Sequence, residues 1–214
     1  MMSEIKFIPL IELPTRKDKD SEVYPSGTSL TNSYKWDLYQ KKELSKNYKN
    51  IPDPISPGIY QYKLFDIELG DLESAIKLHI SDTNINDSCS FFGGYAVSIN
   101  GKIELYPQCC GLLEEIKDWS KILNESFEQF YLMQCHPSPL IAKELNEIKI
   151  QCKEENGEAF FPKTKEIIFV EYELAKKALL KTLDELKEFS IKINNLSNKF
   201  GETNLSEKLI WGGK

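Results

Sequence analysis

The sequence predicts an α+β fold: a mainly antiparallel sheet containing a central hairpin, packed against an amphipathic helix and a long C-terminal helix. Three segments support that expectation. Asn100-Gly101 sits between the β-rich stretches before and after it, and a two-residue Asn-Gly loop supplies the positive φ angles that a type I′ turn requires. Leu112, Ile116, Trp119 and Leu123 recur at helical spacing, with Glu114, Glu115, Asp118 and Lys121 largely on the other side. From Glu171 to Leu196, Leu174, Ala178, Leu179, Leu183, Leu186, Phe189 and Ile193 form a stripe, the pattern of a long helix that docks on a sheet or stands as a packing arm.

The remaining elements follow in chain order. Ile5, Phe7, Ile8, Leu10 and Ile11 read as a first strand, because the apolar run is short, interrupted by Pro9 and flanked by Glu4 and Glu12 rather than by the basic region of an export signal. Residues 14–33 are polar and loop-like, and a short helix is expected over 34–48 on Trp36, Tyr39 and Leu44. The prolines of the Pro52–Gly58 segment each remove a donor and push the preceding residue toward extended geometry, so this segment is a stiff connector. It sets the expected division into an N-terminal strand and irregular arm (1–58), a main α+β domain (59–198) and a C-terminal tail (199–214). Alternation from Ile59 to Leu69 suits a strand with a phase slip at Phe65. Residues 71–80 fit a helix through Leu72, Ala75 and Ile76 and a strand through Ile76, Leu78 and Ile80; the second half is assigned as strand. A polar turn is expected over Asp82–Asp87.

Within the hairpin, a regular register places Ala96 and Ser98 on one face with Ile103 and Leu105, and neither face is cleanly polar, so part of the hairpin is expected to be covered on both sides. Gly93-Gly94 marks a bulge or a close backbone approach, since a lone glycine pair lacks phosphate-cradle spacing. Further strands are expected near 127–134, 147–152 and 166–170, with a turn at Asn156-Gly157, and Leu209, Ile210 and Trp211 form a terminal anchor or a partner contact.

Composition narrows the function classes. With 41% hydrophobic, 28% charged and 11% aromatic residues, the 214-residue chain has what one substantial core needs. The net charge of −6 and a single arginine, Arg16, argue against nucleic acid and anionic membranes and for basic partners. No stretch approaches the roughly 20 continuous apolar residues of a membrane span. Five cysteines, Cys89, Cys109, Cys110, Cys135 and Cys152, leave one unpaired in any disulfide scheme, which fits reduced thiols and a cytoplasmic location.

Cys109, Cys110, Cys135 and His136 are the candidate metal or thiol cluster. Zinc sites usually present Cys-x2–4-Cys knuckles, whereas two of these cysteines are adjacent, and free cysteine is commonly a buried core residue. The thiols are therefore read as structural, with no cofactor or metal expected; a cysteine- or metal-dependent enzyme or sensor is the alternative. A thiol nucleophile would need a base, and only His79 and His136 are present, neither in a recognisable catalytic elbow. No catalytic residue is assigned. Glu114, Glu115 and Asp118 form a candidate acidic patch for a lysine- or arginine-rich protein partner.

Gly93-Gly94-Tyr95, Asn100-Gly101, Pro107-Gln108-Cys109-Cys110-Gly111, Trp119, His136-Pro137 and Pro139, within residues 59–170, resemble uncharacterised bacterial proteins grouped with polymorphic-toxin immunity proteins. The resemblance implies a small cytosolic α/β protein that binds and neutralises a secreted toxin.

Overall fold

The computed structural model describes residues 4–16, 24–80, 85–133, 135–154 and 156–213. It is an α+β protein with two four-stranded antiparallel sheets. The first sheet has the order β2-β1-β3-β4, formed by Ile5–Ile11 (β1), Tyr62–Lys63 (β2), Gly93–Ile99 (β3) and Lys102–Leu105 (β4). The second is a meander of Gln129–Tyr131 (β5), Leu140–Glu144 (β6), Glu147–Gln151 (β7) and Ile167–Glu171 (β8). The helices are Ser33–Leu44 (α1), Leu69–Ile80 (α2), Ile116–Trp119 (α3), Tyr172–Asn194 (α4) and Leu205–Leu209 (α5). No described helix is long and apolar enough to cross a membrane.

β1 lies inside its sheet, paired with β3 along its whole length. β2 reaches only Leu10 and Ile11, which leaves the other edge of β1 open at Pro9, where a strand tolerates a residue without a donor. α4 closes that edge: the Thr182 hydroxyl donates to the Phe7 carbonyl at 2.9 Å. α4 starts directly after β8 because the Glu171 carboxylate accepts from the N–H groups of Glu173 and Leu174 at 3.1 and 2.7 Å, an N-cap that also complements the helix dipole.

One core cluster unites both sheets and the helices. Trp119 sits between them, its ring 4.9 Å from Phe7 of β1 and 6.1 Å from Phe130 of β5, both edge-on. β3 is buried on both faces from Gly93 to Ser98. The second sheet instead buries one face, with Phe130, Ile141, Ile148, Ile150, Ile168 and Val170 inward and Tyr131, Ile167 and Phe169 open outward, the alternation of an antiparallel sheet with one wet side. The tail anchors: Leu205, Leu209 and Ile210 are buried, and Trp211 Nε1 donates to Ser190 Oγ of α4 at 3.0 Å.

Five expectations are corrected. The strand over 59–69 shrinks to β2, and a 3-10 turn at Leu64–Asp66 occupies the phase slip. Residues 71–80 are helical throughout, because Leu72, Ala75 and Ile76 all bury on one side of α2. The hairpin turns at Asn100 (φ 53) and Gly101 (φ 80) as expected, but its register slips between Val97 and Ser98, so that Val97 faces Leu105 and Glu104 is the extra residue. The bulged Glu104 is held by Lys102 and Lys165 at 3.0 and 3.1 Å. Strand β6 was not anticipated; its short sequence carries few β-branched residues. Finally, the helical stretch Leu113–Leu123 is α-helical only at α3, with 3-10 turns on both sides. Its buried residues Leu113, Ile116, Trp119 and Ile122 recur every third position, the period of a 3-10 helix. The polar turn at 82–87 lies partly outside the described residues, with Ile85–Asp87 forming a 3-10 turn.

Candidate functional site

The chain between β4 and α3 makes a tight corner, and its inner side is built from close backbone approaches. Gly93 has φ +143, and a Cβ there would lie 2.0 Å from the Leu10 carbonyl oxygen. The Gly93 N–H donates to the Gly111 carbonyl at 2.8 Å, and Gly94 abuts the Glu115 carboxyl, 2.9 Å from where its Cβ would stand. Gly93-Gly94 is thus a packing device. Glu115, expected on the wet side of its helix, is 3% exposed. Its Oε1 accepts from the Leu112 N–H at 3.3 Å. Desolvation pushes this carboxyl up to about 8, against the lowering effect of that hydrogen bond, so near neutral pH it is largely uncharged.

The outer side of the same corner opens into a cleft, a space of about 850 Å³ lined by Glu12, Gln61, Cys109, Cys110, His136 and Glu158 among others. Gln108 fixes the ledge: its Nε2 donates to the carbonyls of Tyr106 and Phe161 at 2.8 and 3.0 Å, and its Oε1 accepts from the Phe161 N–H at 2.8 Å. This clamps the loop that carries Glu158 to the corner. The Gly111 N–H donates to the Gln108 carbonyl at 3.2 Å, closing a β-turn with Cys109 and Cys110 at its centre and Cys110 at φ 64. That third turn position with positive φ normally holds Gly or Asn.

Cys109 and Cys110 are both exposed, with their sulfurs 3.5 Å apart in hydrogen-bond contact. The Cys109 thiol is held above its ordinary value, first by that bond to Cys110, then by burial and by the Glu12 and Glu158 charges. His136 meets the ledge through its backbone, its N–H donating to the Cys109 carbonyl at 3.0 Å. Cys135 points the other way: it is buried, its thiol donates to the Leu132 carbonyl at 3.3 Å, and burial pushes it well up. The four residues of the candidate cluster therefore divide into three on the cleft wall and one in the core. Among the described residues, no group of three or more His, Cys, Asp or Glu side chains is placed to hold a metal ion. His79 is elsewhere, its Nε2 2.9 Å from the Cys89 carbonyl and its ring against Phe91.

The acidic trio also divides. Glu115 is inside, Asp118 pairs with Lys121 at 2.6 Å, and Glu114 packs against Gly212, where a Cβ would meet the Glu114 carboxyl. The acidic groups that share this cleft are instead Glu12 and Glu158. Desolvation by the cleft walls raises the Glu12 carboxyl even though solvent reaches it through the mouth.

Gln61 completes the floor. Its Nε2 donates to the Pro107 carbonyl at 3.3 Å, while its Oε1 is buried without a hydrogen-bond partner. Beside it the Tyr60 hydroxyl is buried near the Asp37 carboxylate, and burial first and that charge second raise the phenol. No Lys or Arg stands among the described residues that line the cleft. Its chemistry is that of a hydrogen-bond-accepting, negatively charged cavity. Sequence reasoning missed Glu12, Gln61, Gln108 and Glu158, because no spacing ties residues from four separate segments together. No family model matches the chain, and no curated protein or solved structure matches it.

Proposed function

We propose that the chain is a non-enzymatic binding protein of the immunity-factor kind, which neutralises a basic protein toxin by seating a lysine or arginine side chain of the toxin in the acceptor-lined cleft. The observation that supports this reading best is the lining of the cleft, which holds Glu12 and Glu158 and, among its described residues, no Lys or Arg. Glu12 and Glu158 add the negative charge that selects an ammonium or guanidinium over a neutral amide. The outer face of the second sheet offers further contact area, with Tyr131 and Phe169 exposed and Glu144, Glu147 and Glu171 in adjacent register. Aromatic residues of this kind anchor protein interfaces.

The test is growth rescue. Co-expression with the toxin-like product of a neighbouring reading frame should restore growth, and a Glu12→Lys/Glu158→Lys variant should weaken binding of that product by about tenfold or more while keeping the native melting temperature. Unrestored growth with the wild-type chain, or rescue that ignores the charge reversal, would overturn the reading.

A further inference from the structure

The thiol pair on the cleft wall is not used by a binding function. Of the five cysteines, Cys135 and Cys152 are buried, and Cys89 lies in a different concavity with Ser88, Ser90 and Glu114. Only Cys109 and Cys110 combine exposure with sulfur-to-sulfur contact, at 3.5 Å. Their ledge is rigid, held by the Gln108 clamp and the Gly111 N–H, so the two sulfurs are already brought together.

Cys110 adds an independent sign. It occupies φ 64, a conformation that disfavours a side chain by about 1–2 kcal/mol. A glycine would satisfy the turn without strain, so what residue 110 contributes is its side chain rather than its backbone. Strained residues concentrated at a cleft point toward function when the strain itself is observed.

We infer that Cys109 and Cys110 form a reversible dithiol–disulfide site that reacts with low-molecular-weight disulfides in the cleft. The Cys110 sulfur attacks one sulfur of the reagent, whose S–S bond breaks and whose first half leaves as a thiol after taking a proton. The Cys109 thiol then gives up its proton and attacks the Cys110 sulfur, expelling the second half. Two electrons pass from the protein thiols to the reagent: one disulfide is reduced to two thiols and one Cys109–Cys110 disulfide forms. Adjacent Cα atoms stand about 3.8 Å apart across a trans peptide, closer than the roughly 4.4–6.8 Å of ordinary disulfides. The ring is therefore strained and readily reduced, as in switchable rather than structural bridges.

The experiment needs no partner, so its failure leaves the binding reading intact. The purified full chain is incubated with oxidised glutathione, quenched with acid and weighed intact. Wild type should lose two hydrogens at the 109–110 peptide and retain no glutathione there, whatever exposed Cys89 takes up, and dithiothreitol should restore the original mass. Cys109→Ser and Cys110→Ser should each retain one glutathione at the remaining ledge thiol. Phenylarsine oxide, which condenses with two neighbouring thiols and releases water, should label wild type once through this pair and neither serine variant there. Should a serine variant fold poorly, Cys110→Gly, which relieves the φ strain, takes its place. Persistent glutathione adducts at Cys109 or Cys110 of wild type, a bridge that involves Cys89, or arsenical uptake unchanged by the substitutions would each overturn the inference.

Discussion

The corner that joins β4 to α3 has two sides, and the residues that gather on them from several segments face opposite physical problems. Inward, Gly93, Gly94, Glu115 and Cys135 are packed so closely that an added methyl meets a carbonyl at 2.0 Å, a carboxyl is driven up to about 8, and a thiol is buried. Outward, Cys109, Cys110 and His136 stand exposed on a cleft with a partnerless buried acceptor in its floor. The inner side consumes conformational freedom to fix the sheet against α3. The outer side inherits that rigidity and keeps its polar groups available. The apparent motif Pro107–Gly111 is thus two structures: Gln108 and Gly111 are fastenings, and the cysteines between them are what the fastenings present.

The largest break in this comparison comes from Gly93→Ala. The clash is with the Leu10 backbone of the inner strand β1, which cannot rotate away as a side chain would, and φ +143 adds strain for any L side chain. A loss of more than about 3 kcal/mol is expected in urea denaturation. Gly101→Ala at the hairpin tip meets nothing within 4 Å and retains only the φ +80 penalty, so it should cost about 1 kcal/mol. Equal costs at the two glycines would show that close approach is not what fixes the inner side.

Glu115 gives the next effect. Its carboxyl is raised from 4.5 to about 8 in the folded state, chiefly by desolvation. Between those values the unfolded chain has lost the proton and the folded chain keeps it, so this group's contribution is full below about pH 4.5, declines as pH rises toward 8, and is constant above. Glu115→Gln should remove the decline and stabilise the protein at pH 8 by roughly 4 kcal/mol, with little difference from wild type at pH 4. The readout is the variant-minus-wild-type difference in denaturation free energy across that range. A pH-independent difference would mean that Glu115 is ionised in place.

How much of this was legible beforehand differs between the two sides. The turn at Asn100-Gly101, the close approach at Gly93-Gly94 and the docking of α4 follow from local sterics and helical periodicity, and the structure contains all three. The rotation of the stretch 113–123 was hidden, because Leu112–Leu123 scans as an α-helical stripe while the backbone alternates between α and 3-10 geometry. That rotation carries Glu115 inward. The bulged Glu104 pairs with Lys102 of its own strand and with Lys165, and the second of these is a long-range pairing that period-2 alternation cannot encode. The cleft was least legible: Glu12 follows β1, Gln61 precedes β2, Cys109 follows β4 and Glu158 lies between β7 and β8. Only tertiary folding brings them together.

The smallest effect separates two neighbouring residues. Cys110 has φ 64, and Cys109 is absent from the described residues with positive φ. At an ordinary φ, glycine is worse than alanine by about 0.5–1 kcal/mol, because it frees the unfolded chain. In the left-handed region alanine suffers the clash of Cβ with backbone, about 1–2 kcal/mol, which glycine escapes. Subtracting the two effects, Cys110→Gly should be more stable than Cys110→Ala by about 0.5–1 kcal/mol, whereas Cys109→Gly should be less stable than Cys109→Ala by a similar amount. Four denaturation curves decide it. Opposite signs at adjacent positions mean that the chain bears strain at one cysteine only, so that two thiols can share the ledge; the same sign at both means that the turn does not hold Cys110 in the left-handed region, and that the sulfurs meet without any cost being borne to bring them together.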